Sequence, residues 1–249
     1  MKKSNFIFGI IYFFIFAPVF AQGFRLRNST DINYIKYSND RYILRIENTS
    51  LFPLHEKFIP EIRFIAAKTE YGEWLIPQPG FVWIIARGLY AEVAYGLSIN
   101  TDGISGQEGF SEITWETNRF ITSAYMKAGF NSDTEIFFLT SNTAFRYLFS
   151  PIYSTKIKYY LGYSTDSFYS HTVQLENIAT INDSSSLALI TTGVKQTTNE
   201  RSDYLWSAGL RFEGRLTNWF LLKYIIQYHT QPYAVWSLEN GITVDVLLR

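Results

Sequence analysis

The chain has 249 residues, with 22 lysines and arginines balanced by 22 aspartates and glutamates, and no cysteine. Zero formal charge argues against a nucleic-acid partner, whose binders carry a basic surplus. The missing cysteine excludes a disulfide framework, a zinc–thiolate site and a thiol nucleophile. Aromatic residues reach 18% and hydrophobic ones 47%, yet mean hydropathy is only −0.03, so apolar and polar residues are finely interleaved.

The N-terminus reads as a secretory signal peptide over residues 1–21. Lys2 and Lys3 precede an apolar run from Phe6 to Phe16, Pro18 breaks it, and Val19 and Ala21 form a small-residue cleavage site. The run is shorter than the roughly 20 residues of a spanning helix. Residues 22–58 are poorly patterned, with turn signals at Asn28-Ser29-Thr30-Asp31 and Ser38-Asn39-Asp40. They are expected to form a lead-in or the first strands. Strands follow over 59–68 and 81–86, with a turn at Arg87-Gly88.

From residue 88 onward the period is two. Leu89, Ala91, Val93, Tyr95 and Leu97 alternate with Tyr90, Glu92, Ala94, Gly96 and Ser98. The same pattern holds over 120–130, 155–164, 204–213 and 219–229. It is weaker over 111–117, 134–148, 168–181 and 186–197. His171 and Asn177 fall on the apolar parity of 168–181, against the pattern.

Two architectures give this alternation. A soluble exported β-sandwich turns its apolar face inward; a transmembrane barrel turns it to lipid and keeps a polar lumen. Strands of about 10–13 residues match a tilted bilayer crossing, and aromatic residues at strand ends match interfacial girdles. The fold expected is therefore all-β: a transmembrane antiparallel β-barrel over 59–249 of about twelve strands, with ten to fourteen open.

Thr117-Asn118-Arg119-Phe120 and Thr217-Asn218-Trp219-Phe220 read as equivalent tight turns. With a periplasmic C-terminus both turns are periplasmic, and the Gly-rich stretch Asn100–Phe110 becomes an extracellular loop. The last strand places Trp236, Leu238, Ile242, Val244, Val246 and Leu248 on one parity. Ser237, Glu239, Gly241, Thr243 and Asp245 take the other. A hairpin at Asn240-Gly241 would break that parity. The run Glu239 to Val246, with Gly241, Val244 and Val246 at its marked positions, resembles the C-terminal assembly signal of bacterial outer-membrane β-barrel proteins. The resemblance implies residence in the bacterial outer membrane, contact with its lipid and recognition by the barrel-insertion machinery. The ending departs from the class, which usually finishes on an aromatic residue; here it is Leu248-Arg249.

Parity sends Glu92, Glu112, Glu116, Glu176, Glu213, Glu239 and Asp245 into the lumen with Lys127, Lys156, Lys158, Arg211 and Lys223. Glu92, Lys127, Lys158, Arg211, Glu213 and Lys223 are the candidate lining of a conduit. The alternative is a lattice of ion pairs that fills a narrow lumen. Neither sign dominates, so no strong ion selectivity is expected. The function expected is a non-enzymatic channel for small solutes, or a structural surface barrel, without a cofactor. The enzymatic alternative is a lipid or peptide hydrolase. Outer-membrane phospholipases and lipid A deacylases carry a His-x-Ser motif. His55-Glu56-Lys57, His171-Thr172-Val173 and His229-Thr230-Gln231 all lack the serine, which leaves a Ser/His pair formed across strands, or a carboxylate-based hydrolase, as routes to catalysis.

Overall fold

The computed structural model describes residues 26–38, 41–70, 72–100, 102–198, 201–217, 219–230 and 236–248. The expected signal peptide lies outside them, as does the side chain of Val246. The described residues form fourteen strands: β1 (Leu26–Tyr37), β2 (Tyr42–Leu51), β3 (Phe58–Thr69), β4 (Gly72–Ala86), β5 (Leu89–Asn100), β6 (Gly103–Glu116), β7 (Phe120–Asn131), β8 (Ile136–Ser150), β9 (Tyr153–Ser164), β10 (Phe168–Asn182), β11 (Ser185–Thr197), β12 (Ser202–Thr217), β13 (Phe220–His229) and β14 (Trp236–Leu248). Each strand pairs antiparallel with its neighbours in sequence, and β1 pairs with β14 from Leu26↔Leu248 to Tyr37↔Ser237, closing a barrel. Closure leaves no strand edge unpaired. The end that holds Leu26 and Leu248 is called proximal below, and the opposite end distal.

The count is fourteen rather than twelve, and the two further strands are β1 and β2. Asn28-Ser29-Thr30-Asp31 is not a turn but part of β1, while Ser38 opens the β1–β2 connection. The expected strand 81–86 is the last part of β4, which starts at Gly72 and carries Pro77 and Pro79. Prolines argue against a central strand because they donate nothing to a ladder. Here the β4–β5 ladder is interrupted between Leu75↔Ile99 and Gly80↔Ala94, while β3 pairs with both prolines. The Asn100–Phe110 loop is also corrected. Only residues 101–102 separate β5 from β6, which begins at Gly103 and takes up Gly106 and Gly109.

Thr117 and Thr217 do the same work at the proximal end. Thr117 Oγ1 accepts from the amides of Arg119 (3.3 Å) and Phe120 (3.1 Å). Thr217 Oγ1 accepts from the Trp219 amide at 3.3 Å. Gly88 makes the β4–β5 turn with φ +74°, a left-handed conformation that glycine adopts without steric cost.

The alternation separates two faces. Val93, Tyr95, Ile113, Met126, Ile157, Val173, Leu189, Leu210 and Ile226 point outward and are between 41% and 52% exposed. In a soluble sandwich such a parity would form the core; here it is the surface. Aromatic rings band both ends. Proximally, Trp115 meets Phe120 at 5.0 Å, Phe149 meets Tyr147 at 4.9 Å, and Phe58 meets Phe81 at 4.8 Å. Distally, Tyr163 meets Tyr169 at 5.0 Å and Tyr34 meets Tyr42 at 6.4 Å.

Several outward polar residues are hydrogen-bonded to one another, as an apolar surrounding that offers no partner would require. Asn48 Nδ2 donates to Thr30 Oγ1 at 2.7 Å, and Asn28 Nδ2 donates to Ser50 Oγ at 2.8 Å. Asn177 Oδ1 accepts from Thr155 (2.9 Å) and Tyr153 (3.1 Å). His171 Nδ1 pairs with the Tyr159 hydroxyl at 2.7 Å. The two residues that weakened the pattern of β10 are thus outward and satisfied.

Candidate functional site: the charged lumen

The inward parity brings ionisable side chains into two clusters. The first centres on Arg63 of β3. Its Nη2 lies 3.0 Å from Glu61 and its Nε 3.4 Å from Glu47 of β2, and it also bonds Glu92 of β5. The guanidinium sits 4.5 Å above the ring of Phe110 on β6, which stacks on Tyr125 at 5.6 Å. Next to it, Glu108 accepts from Gln78 Nε2 at 2.6 Å and pairs with Lys127 Nζ at 2.6 Å. Arg45 pairs with Glu47 at 2.7 Å.

The second cluster centres on Glu176 of β10, whose side chain is 1% exposed. Oε1 accepts from Lys158 Nζ and Gln174 Nε2, both at 2.7 Å, and Oε2 meets Arg211 Nη1 at 2.9 Å. Arg211 Nε reaches Glu213 at 3.1 Å. Lys156 stands opposite Glu176 in the ladder, and Arg146 opposite Lys156.

The clusters carry opposite balances. On β2–β7, Glu47, Glu61, Glu92, Glu108 and Glu112 outnumber Arg45, Arg63 and Lys127. On β8–β12, Arg146, Lys156, Lys158 and Arg211 outnumber Glu176 and Glu213. In a ring of fourteen, β3 and β10 stand opposite each other. An acidic wall therefore faces a basic one. The lumenal ion pairs among the described residues join a strand to itself, to its neighbour or to the next strand but one. They brace the wall laterally and none reaches the opposite side. Eight strands give a lumen that side chains fill, and sixteen leave an aqueous channel; fourteen lies near the open limit.

All six residues expected to line the lumen face inward. Glu92 joins the first cluster, Lys127 pairs with Glu108, Lys158, Arg211 and Glu213 form the second, and Lys223 pairs with Glu239 at 2.8 Å. The structure does not bring them to one site but distributes them around the ring. Glu239 and Gly241 are inward on β14, and Val244 is on the outward parity opposite Thr30. Asp31, Arg45, Glu47, Glu61, Arg63 and Glu108 escaped the sequence reading. The first five sit on strands without clear alternation, and Glu108 lay in the expected loop. A signal was present: Arg45-x-Glu47 and Glu61-x-Arg63 each place opposite charges two residues apart, on one strand face.

One Ser/His pair does form across strands. His229 Nε2 lies 2.6 Å from Ser237 Oγ, inside the distal part of the lumen. Among the described residues no carboxylate bonds the other ring nitrogen of His229, so the base of a triad lacks its orienting acid.

No family model matches the sequence, and no curated protein matches it. Solved structures do match. A structure titled CymD monoaromatic hydrocarbon channel aligns with TM-score 0.67 at 7% identity, over 90% of this chain and 89% of that one. A structure titled bacterial polysaccharide outer membrane secretin aligns with TM-score 0.61 at 9% identity, covering 90% and 98%. The fold is that of the bacterial outer-membrane β-barrels. The KdgM porin aligns with it at TM-score 0.55 and 8% identity, over 87% of this chain and 98% of its own. At such identities the likeness concerns the barrel and leaves the lumen lining to be read from this chain's own residues.

Proposed function

We propose that this barrel resides in the bacterial outer membrane and passes small polar solutes passively through its lumen, without acting on them chemically. The observation that carries the reading is the lateral bracing of the lumenal charges. The ion pairs of each cluster close along its own wall, so the axis needs no ion pair across it, and each wall keeps its surplus of one sign. A solute on that axis meets an acidic wall on one side and a basic wall on the other, which favours polar molecules without strong preference for either ion sign. Two of the similar structures, a monoaromatic hydrocarbon channel and a porin, support the same reading.

We infer also that the proximal end is periplasmic and that the insertion machinery reads β14 through Glu239, Gly241 and Val244. Single-channel recording in planar bilayers tests the channel. Stepwise currents with weak ion preference are expected; a silent bilayer containing folded barrel would make this a structural surface protein. The hydrolytic alternative rests on His229 and Ser237. Phospholipid and lipid A turnover by the wild-type barrel, lost in His229→Ala and Ser237→Ala, would overturn the non-enzymatic reading.

A further inference from the structure

The outward face carries charge at few places. Within the described strands, the charged residues of outward parity are Lys36, Lys68, Glu73 and Lys195, all in the distal part of the barrel. Lys68 is neutralised by Glu73 at 2.5 Å. Lys195 has no carboxylate near it among the described residues; its ammonium lies 5.8 Å from the centre of the Tyr204 ring.

Directly below Lys195 an open groove of about 380 Å³ runs along β11. Its origin is visible in the ladder. Gly193 pairs with Val173 on one side and Trp206 on the other, and it has no side chain to fill the space between them. Trp206 leans over the gap, so that a Cβ on Gly193 would stand 3.1 Å from the indole ring. One step toward the distal end, Lys195 is flanked by His171 and Tyr204. The groove is apolar along its length, with an ammonium at its distal mouth.

We propose that this groove is a lipid site, holding one acyl chain of a membrane lipid whose anionic phosphate headgroup meets Lys195. The proposal rests on the membrane placement of the fold and not on conduction. Charge complementarity selects the occupant. An apolar slot accepts any acyl chain, but an unneutralised cation among aromatic rings at the depth of the headgroups favours an anionic one. The ammonium of Lys195 stands at the mouth of the groove near the Tyr204 ring, where a headgroup phosphate can meet it.

The test uses the full barrel in vesicles and the quenching of tryptophan by brominated acyl chains. Trp206→Phe identifies the share of the signal that comes from the groove. Brominated phosphatidylglycerol in a phosphatidylcholine background is expected to quench Trp206 at lower mole fraction than brominated phosphatidylcholine does. Lys195→Gln should lower that preference roughly tenfold, the worth of one charge-assisted hydrogen bond. Lys195→Arg should keep it, and Gly193→Leu, which fills the slot, should reduce quenching by both lipids. Heat-modifiable migration on gels confirms that each variant is folded. Equal quenching by the two lipids in the wild type, or an unchanged preference in Lys195→Gln, would overturn the proposal. So would loss of the preference on adding inorganic phosphate, since that would make the site one for the free anion.

Discussion

On one wall of the lumen a single arginine stands among three glutamates; on the facing wall a single glutamate stands among basic side chains. The two hubs are mirror images in charge, but not in burial. Glu176 is 1% exposed at its side chain and Arg63 is 17% exposed. Arg63 also rests on the face of Phe110, a partner with no counterpart at Glu176. The difference teaches that the two walls are stabilised alike and yet tolerate damage differently. Glu61 beside Arg63 is also 1% exposed at its side chain and has no other ion pair among those described, whereas Glu176 is shared between Lys158 and Arg211.

The comparison can be broken at the hubs themselves. Glu176→Leu leaves Lys158 without its acid and Arg211 with Glu213 alone, and should cost about 3–5 kcal/mol, the usual penalty for an orphaned buried partner. Arg63→Met should cost at least as much, because the Glu61 side chain that it orphans is only 1% exposed. Denaturant midpoints of the folded barrel check the order, and a clearly smaller loss for Arg63→Met would reverse the reading of the walls. Recovery of part of the loss in Glu176→Leu/Lys158→Met would show that the orphaned charge, not the missing volume, is the cause.

A second test asks whether the walls are walls. Leu210 is outward on β12 and Ser207 is inward, three residues away. Leu210→Arg should cost about 2–4 kcal/mol if it lies at the membrane midplane. Ser207→Arg places the same charge in the lumen and should assemble normally. The amount of heat-modifiable protein in the membrane measures both, and equal assembly would show the faces reversed.

Smaller effects sharpen the sign of each wall. Glu112→Gln and Lys156→Gln each remove one charge outside the ion pairs described. The first should move the reversal potential in a salt gradient toward anion preference and the second toward cation preference. Shifts of the same sign would mean that the facing walls do not act separately on the permeant ion. Smallest of all, Thr117→Val removes an acceptor used by two turn amides and should cost about 0.5–1.5 kcal/mol, read as a modest fall in the denaturant midpoint.

The legible part of this fold is the part where lipid and lumen impose different chemistry on alternate residues. From β5 to β14, apart from the Gly-rich first half of β6 that reads as a loop, the strands and their faces follow from parity, since Leu210 and Arg211, or Ile226 and Gln227, could not exchange places. The first strands hide because their outward residues are polar too. Asn28 and Thr30 on β1 bond Asn48 and Ser50 on β2, and that compensation exists only between neighbours that a linear reading does not yet know. In β4 the prolines concealed a strand that tolerates them through a gap in one ladder. Much of the charged lumen on β5–β14 was legible as parity, but the charges of β1–β3 and Glu108 were not. Its division into facing walls was not, because Arg63 and Glu176 become opposite only when the ring has a known number of strands.

The seam between β1 and β14 has a consequence in time. Every other strand pairs with its successor across a short connection, so hairpins can form as the chain is laid down. The last ladder, Leu26↔Leu248 through Tyr37↔Ser237, joins the two strands most distant in sequence. Contacts of such separation form late, because the ordering of the intervening chain must come first. Until then the sheet has two open edges, and Asp31 lacks the Thr243 hydroxyl that it bonds across the seam. An unclosed sheet of thirteen hairpin-linked ladders is thus the species that must be protected from other chains, and closure of this one ladder is the step that ends its exposure.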